Sequence, residues 1–293
     1  MWILLGFLLA QGLLAQTRSS NSYPPVLEGA QEEVYKQLGD VPLKLWVFSP
    51  PRREPAKPAA AIVFFFGGGW SGGSPAQFQH HARLLAREGM VAVTADYRVA
   101  SRHQAKVIDC LRDAKSAIRY LRLHASRLGI DPNRIAAGGG SAGGHLAAAA
   151  AIVEGFEEPG EDLRVSSKPN ALVLFNPALM LGGTGQTEPD PATASRWITR
   201  VGAPPQEVSP FHQMKSPPPP TIIFHGKADA TVPYSTVEAF AARCKALGGS
   251  CELVGYEGQT HGFFNYGRGK GEYFEKTTQR MKEFLRSIGY LGS

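Results

Sequence analysis

The chain has few cysteines, a modest share of charge and no cluster of basic residues. Its 293 residues include three cysteines, none of which belongs to a C-x-x-C pair. Since common cysteine-based metal sites need that close spacing, we expect no metal site and no cofactor. Charged residues make up 19% of the chain, and the formal net charge of +6 is not gathered into a run. The charge pattern lacks a nucleic-acid-binding signature, and we expect no nucleic-acid partner.

An apolar run long enough to cross a membrane is also missing. The stretch from Trp2 to Leu14 carries no charged side chain, but a spanning helix needs about 20 apolar residues. It ends in Leu13-Leu14-Ala15-Gln16, which resembles a signal-peptide cleavage site after Ala15. We therefore interpret residues 1–15 as a signal peptide and expect a secreted or periplasmic protein with no stable membrane span.

Two other interpretations of this stretch stay open. A signal peptide usually has a basic residue ahead of its apolar part, whereas the first charged side chain here is Arg18. The stretch could instead be an uncleaved anchor or a buried N-terminal helix.

The three cysteines also leave alternatives. We expect Cys244 late in a helix and Cys251 at the start of the next strand. A disulfide between them would suit an exported protein, and two buried thiols are the other possibility. Cys110 is expected to face the core or to stay free.

What the sequence does have is an alternation of apolar strands and amphipathic helices. Continuous apolar runs predict strands buried on both faces, at residues 60–66, 90–95, 171–175 and 221–224. Apolar residues recur in steps of three and four from Val107 to Ala125, which predicts a helix. The alternation predicts a mostly parallel sheet covered by helices on both faces. We expect an N-terminal segment over residues 16–42 and a single domain over residues 43–293.

Residues 179–214 break this alternation. The stretch is rich in Gly, Pro and Thr and has no clear periodicity. Because it is long for a plain connection, we expect it to form a small lid or wall beside a functional site.

A serine lies at the centre of the run Gly139-Gly140-Ser141-Ala142-Gly143. The run matches G-x-S-x-G, in which a nucleophilic serine occupies a sharp turn between a strand and a helix. Residues 134–137 are typical of a short strand, and residues 145–153 are typical of a helix. This context makes Ser141 the candidate nucleophile.

A serine nucleophile needs a base, and the base needs an acid to orient it. His261 is the candidate base because it follows the last predicted strand on a glycine-flanked loop. Among the other histidines, His145 lies one helical turn after the serine, and His225 ends a buried strand as a structural residue. Asp229 is the favoured acid from its order in the chain and its position after a strand, with Glu257 as its rival.

The developing negative charge on the substrate needs backbone amide donors. The amide of Ala142 follows the nucleophile and supplies one. The run Phe66-Gly67-Gly68-Gly69-Trp70 directly follows a buried strand and is a second source.

These motifs together resemble an α/β-hydrolase esterase of the hormone-sensitive-lipase-like group. The resemblance is greatest to the acetyl-esterase and acetylxylan/feruloyl-esterase branch and spans residues 43–288. Matching pieces also include Asp96-Tyr97-Arg98, Asp131-Pro132-Asn133-Arg134-Ile135 and His261-Gly262-Phe263-Phe264. The resemblance implies an α/β-hydrolase fold with Ser141, Asp229 and His261 as catalytic residues. It further implies Gly68, Gly69 and Ala142 as oxyanion-hole donors, with no metal or cofactor.

The chain departs from the family pattern in two places. The glycine loop of the family usually begins with histidine, where this chain has Phe66, so the hydrogen bonding of the loop is in question. The N-terminal segment is also too short for a large helical cap, which implies an open site. An open site suits esters displayed on a bulky substrate better than a buried lipid chain. We therefore expect a serine carboxylesterase for short acyl esters, acetyl or feruloyl, of a small molecule or a polysaccharide.

Trp70 is the candidate substrate-binding residue, since it could stack on a sugar or an aromatic acyl group. Packing against the lid is the alternative.

Three other functions stay open. They are a peptidase like prolyl oligopeptidase, an arylformamidase, and a carbohydrate-binding protein on a hydrolase scaffold that has lost catalysis.

Overall fold

The computed structural model describes residues 23–51, 57–183 and 191–292. The expected signal peptide, residues 1–15, lies outside these ranges. One eight-stranded sheet runs through the described chain in the order β1-β2-β4-β3-β5-β6-β7-β8. The strands are β1 Gln31–Leu38, β2 Val41–Phe48, β3 Ala59–Phe65, β4 Val91–Ala95, β5 Ile130–Gly140, β6 Ala171–Phe175, β7 Thr221–Gly226 and β8 Cys251–Tyr256.

Helices connect the strands and cover the sheet. They are α1 Gln79–Arg87, α2 Ala100–His103, α3 Val107–Leu123, α4 Ala125–Leu128, α5 Ala142–Ile152, α6 Pro191–Val201, α7 Pro210–Gln213, α8 Tyr234–Ala246 and α9 Glu272–Ser287. From β4 to β8 all neighbouring strands pair in parallel. The predicted parallel sheet is therefore confirmed, and the fold is that of an α/β-hydrolase.

Alternate residues of each central strand supply two separate cores. In β3, Ala61, Val63 and Phe65 pack into the core on one face of the sheet. Ile62 and Phe64 pack into the core on the other face. Because both faces are apolar, the strand has the continuous run of hydrophobic residues seen in the sequence.

The sheet begins earlier than residue 43, where the domain was expected to start. Strand β1 pairs antiparallel with β2, and β2 pairs antiparallel with β4. Tyr35 is buried in β1, where its hydroxyl donates to the Asp96 carbonyl over 2.8 Å. Strand β1 was not predicted from the sequence, because its charged residues weaken the alternation of apolar and polar residues.

The stretch from 179 to 214 contains regular structure that its composition did not predict. Within its described part, α6 is followed by a short 3-10 turn at Pro205–Val208 and by α7. Val201, Val208 and Met214 are fully buried against the main core. These contacts hold the segment against the body of the domain.

All three cysteines are free thiols. Cys244 and Cys251 are not joined, so the alternative of two thiols is the one found here. Cys110 is buried, and its thiol contacts the Arg98 carbonyl at 3.1 Å. In the part of the chain that the structure describes, no helix has the length and apolar character of a membrane span.

A buried ion cluster ties the first strand to α3. Asp113 is fully buried, and its carboxylate accepts hydrogen bonds from Lys36 at 2.7 Å and from Arg98 at 2.8 Å. Glu158 also binds Lys36, at 2.5 Å. The two cations are only partly exposed, so their charges depend on these carboxylates.

We predict that Asp113→Ala lowers the free energy of unfolding by about 3–5 kcal/mol, because it leaves two poorly hydrated cations without their main partner. Urea denaturation measures this loss. Asp162→Ala removes an exposed carboxylate bound to Arg164 and should leave the midpoint unchanged. Equal urea midpoints for the two variants would contradict the proposed contribution of the ion cluster to stability.

Candidate active site

The register of the parallel strands brings four loops to one edge of the sheet. Gly140 at the end of β5 pairs with Phe175 at the end of β6, and Phe175 pairs with Phe224 near the end of β7. Gly226 then pairs with Tyr256 at the end of β8. The residues that follow these strand ends therefore meet at the carboxyl edge, where open α/β sheets bind ligands.

Ser141 lies between β5 and α5 in a strained backbone conformation. Its φ is 52° and its ψ is −115°, which is costly for a residue with a side chain. The Ser141 amide donates to the Phe175 carbonyl over 2.9 Å, and its carbonyl accepts from the His145 amide over 3.0 Å. These bonds hold the strained turn, and the expected strand–turn–helix context is present.

The small residues around Ser141 are required by close backbone contacts. A Cβ on Gly139 would lie 2.5 Å from the Phe65 carbonyl oxygen. A Cβ on Gly143 would collide with the same carbonyl. The turn can therefore approach β3 only with glycine at these two positions.

His261 and Asp229 form a hydrogen-bonded pair at the same edge. The Nδ1 of His261 lies 2.7 Å from Oδ2 of Asp229. The aspartate side chain is fully buried, whereas 27% of the imidazole is exposed. This arrangement fixes which imidazole nitrogen faces the carboxylate and leaves Nε2 for proton transfer. Within the described residues, the Ser141 hydroxyl forms no hydrogen bond.

Asp229 receives donors from several directions. Its Oδ1 accepts the amides of Thr231 and Val232 at 2.8 and 2.9 Å, and its Oδ2 also accepts the Asn176 side-chain amide at 2.8 Å. Burial raises the pKa of Asp229, but the Val232 amide and His261 lower it by more, so the net pKa lies below its ordinary value. The carboxylate is thus kept ionised beside the imidazole.

The rival acid Glu257 does not contact His261. It is exposed and forms an ion pair with Lys227 at 2.5 Å. His225 is fully buried, and its Nε2 lies 2.9 Å from the Val232 carbonyl. It has the structural position expected from the sequence.

Asn176 is a site residue that the sequence analysis missed. It is fully buried, with a positive φ of 42°. Its side chain donates to Asp229 and accepts from the Gly262 amide at 3.3 Å. Asn176 thereby links the loops that carry the acid and the base. The available signal was its position directly after a buried strand that ends at the site.

The glycine loop leaves the amides of Gly68 and Gly69 without an acceptor in the described chain. Gly68 and Gly69 have φ values of 124° and 59°, which favour glycine. The Gly68 carbonyl accepts the amides of Ser71 and Gly72 at 3.0 and 3.2 Å, which fixes the peptide plane that carries the Gly69 amide. In the described chain no hydrogen bond uses the Gly68, Gly69 or Ala142 amide as donor. These are the donors that an oxyanion hole requires.

Phe66, which stands where the family has a histidine, supports the glycine loop by stacking on Tyr97. Its ring lies 4.1 Å from the Tyr97 ring at an angle of 17°, and the Tyr97 hydroxyl donates to the Phe66 carbonyl over 2.7 Å. Gln77 accepts the Gly67 amide over 2.7 Å. A stacked tyrosine and a glutamine therefore hold the loop.

Trp70 does not present an open face for a substrate. Only 6% of it is exposed, and its indole N–H donates to His145 Nδ1 over 3.2 Å. The His145 Nε2 in turn lies 2.8 Å from the Val208 carbonyl, and burial lowers its pKa to about 4. Trp70 is thus connected through His145 to the segment after α6, which agrees with the alternative of packing against the lid. A contact of Trp70 with substrate stays a prediction.

Asp96 and Arg98 bind groups of the protein itself. The Asp96 carboxylate binds the Tyr23 hydroxyl and the Tyr97 amide, and Arg98 binds Asp113. No cluster of three or more His, Cys, Asp or Glu side chains suited to a metal ion occurs in the described residues.

A sequence model of the BD-FAE family matches residues 45–244, more than half of the chain. The chain belongs to the BD-FAE family. The matched region runs from β2 to α8 and includes the glycine loop, Ser141 and Asp229, while His261 follows it.

Solved structures extend the likeness of this BD-FAE chain to more than nine tenths of its length. A thermophilic esterase of Thermogutta terrifontis, Est2, superposes with a TM-score of 0.89 at 50% identity, covering 92% of this chain and 96% of that one. Its apo form gives 0.88 at 51% identity, covering 93% and 99%. The BD-FAE chain is an α/β-hydrolase of an esterase family.

Curated relatives are more distant and longer. Esterase LipC of Mycobacterium tuberculosis is 29% identical over 259 residues, which cover 82% of this chain and 63% of LipC. A probable isoprenylcysteine alpha-carbonyl methylesterase of Arabidopsis thaliana, ICMEL1, is 28% identical over 193 residues, covering 60% of this chain and 40% of that protein. The chain thus spans less than two thirds of these relatives.

We predict that Asp229→Asn lowers kcat for p-nitrophenyl butyrate about 10⁴-fold, because an amide in place of the carboxylate favours the wrong imidazole tautomer. Steady-state kinetics measures the loss. Glu257→Gln is the matched control, since it removes the rival carboxylate, and it should retain wild-type kcat. A large loss in Glu257→Gln with little in Asp229→Asn would reverse the assignment of the acid.

Proposed function

We propose that this chain is a serine carboxylesterase that hydrolyses short-chain acyl esters. The hydrogen-bonded pair of Asp229 and His261, at the sheet edge where Ser141 is held in its strained turn, carries the proposal. The free amides of the glycine loop and of Ala142 add an anion-binding site beside the serine. Together these parts supply a nucleophile, a base, an orienting acid and an oxyanion hole.

The proposed reaction uses only groups of this chain, the ester and water. The Ser141 hydroxyl attacks the ester carbonyl while Nε2 of His261 accepts its proton, and Asp229 stabilises the imidazolium through Nδ1. The amides of Gly68, Gly69 and Ala142 hold the negative charge that develops on the carbonyl oxygen. His261 then protonates the departing alcohol, and water hydrolyses the acyl-enzyme by the same steps.

We propose short acyl groups, acetyl or feruloyl, carried on a small alcohol or a polysaccharide. The Thermogutta terrifontis esterase has been solved with propionate and with butyrate bound, which supports a small acyl site in a relative of 50% identity. The methylesterase relatives support ester chemistry on larger molecules. We further propose export, on the strength of the signal-like sequence of residues 1–15.

We predict that paraoxon inactivates the protein by phosphorylating Ser141, because organophosphates react with activated serine nucleophiles. The same relative has been solved phosphorylated by paraoxon. Intact-protein and peptide mass spectrometry should find one diethylphosphoryl group on the peptide that contains Ser141. Ser141→Ala should gain no such group and should lose esterase activity by about 10⁶-fold. An adduct on another residue, or activity retained in Ser141→Ala, would refute the proposed nucleophile.

We predict that kcat/KM falls from p-nitrophenyl acetate and butyrate to p-nitrophenyl decanoate, because a site for short acyl groups does not accommodate a ten-carbon chain. Initial rates below the solubility limit of each ester measure the series. Release of ferulate and acetate from xylan then tests whether a polysaccharide can carry the acyl groups. A rate that rises steadily to decanoate would identify a lipid-type site instead.

A further inference from the structure

Exposed arginines contact the two loops that carry the proposed chemistry. Arg200 of α6 donates to the Gly69 carbonyl over 2.6 Å, on the loop of the proposed oxyanion hole. Arg268 donates to the His261 carbonyl over 2.8 Å, on the loop of the proposed base. Each contact uses one nitrogen of a guanidinium that has five N–H groups, so most donors of both side chains stay available.

Neither arginine forms an ion pair with a carboxylate in the part of the chain that the structure describes. Other arginines of the molecule do: Arg98 pairs with Asp113, and Arg127 pairs with Glu33. Arg268 donates to a carbonyl, while Arg200 also donates to the Ser71 hydroxyl over 3.3 Å and lies 5.9 Å from the Trp70 ring. Contacts with neutral groups leave the guanidinium charge uncancelled, whereas pairing with a carboxylate cancels it.

The surroundings of the site add to this positive charge. The segments 67–78, 99–107, 191–206 and 258–271 contain no aspartate or glutamate. Their basic residues are Arg102, Lys106, Arg196, Arg200, Arg268 and Lys270. Arg102 also contacts the glycine loop, where it donates to the Gly73 carbonyl over 3.1 Å. Glu207, Glu257 and Glu272 adjoin these segments, so the positive charge is an excess and not the only charge present. An excess of positive charge raises the local concentration of an anionic substrate.

An exposed aromatic residue accompanies each of the two arginines. Trp197 is 36% exposed, and its ring lies 5.5 Å from the Arg200 guanidinium. Tyr266 precedes Arg268 by two residues, is 57% exposed, and stacks on His80 at 3.6 Å. The aromatic ring of Trp197 beside the Arg200 cation suits a ring-shaped ligand that carries a carboxylate.

The proposed mechanism indicates which part of the ester meets Arg268. His261 passes its proton to the departing alcohol, so the alcohol oxygen lies on the His261 side of the reacting carbon. Arg268 binds the backbone of that same histidine. A negative charge on the alcohol part would therefore face Arg268, and a small acyl group would not reach it.

We propose that the preferred substrates are esters whose alcohol part carries a carboxylate, such as acylated uronic-acid units of a polysaccharide. This inference rests on the proposed esterase function and adds the charge of its substrate. Arg268 and Arg200 are its specificity-determining residues, and they act by attracting the carboxylate to the mouth of the site.

The test compares two acetyl esters of nearly equal shape, 4-acetoxybenzoate, which is an anion, and the neutral 4-acetoxybenzamide. The measured quantity is the ratio of their kcat/KM values, which cancels any general damage to the glycine loop. We expect Arg200→Gln with Arg268→Gln to lower this ratio about tenfold or more. Raising the salt from about 0.02 M to about 0.5 M should lower the ratio in the wild type and should lower it less in the double variant, which keeps the other basic residues.

Two further variants make the outcome specific. Arg200→Lys with Arg268→Lys keeps both charges and should retain most of the wild-type ratio. Arg164→Gln, which removes an exposed arginine of another surface, should not change it. If the ratio is unchanged in the double glutamine variant while both esters are still hydrolysed, the proposed preference for anionic esters is wrong. The esterase function would not be affected by that result. Failure of the wild type to hydrolyse either ester would overturn the esterase function as well.

Discussion

The carboxylate of Asp229 receives hydrogen bonds from the loops that follow three neighbouring strands. Thr231 and Val232 donate from its own loop after β7, Asn176 donates from the end of β6, and His261 lies within hydrogen-bond distance on the loop after β8. A buried carboxylate with this many donors stays ionised and restricts the position of each donor. The orientation of the imidazole therefore depends on a network that extends beyond the catalytic pair.

The other half of the site depends on backbone contacts that exclude side chains. Gly139 and Gly143 let the turn at Ser141 pack against the Phe65 carbonyl, while the Gly68 carbonyl is held by two amides of its own loop. Tyr97, Gln77 and the pair of Trp70 and His145 support this loop from the interior. The serine and its amide donors are thus positioned by packing rather than by bonds to the catalytic histidine.

Much of the site could be predicted because its residues follow strands. Ser141, Asp229 and His261 each follow a predicted strand within a few residues, and parallel strands that run side by side end at one edge of a sheet. Asn176 has the same position but was missed, because a lone asparagine after a strand has no motif of its own. The hydrogen bond from Trp70 to His145 could not be predicted, because nothing in the local sequence joins two residues so far apart in the chain.

The sequence by itself determined the parallel sheet, the strained serine turn and the order of the candidate catalytic residues. These features follow from local apolar runs, glycine spacing and position along the chain. Only the tertiary structure decided that β1 belongs to the sheet, that Glu257 binds Lys227 instead of His261, and that arginines of α6 and of the His261 loop contact the site. The physical reason is that packing in the folded chain decides which partners meet. Arg268 and His261 are only seven residues apart, yet no apolar run or glycine spacing between them encodes their contact.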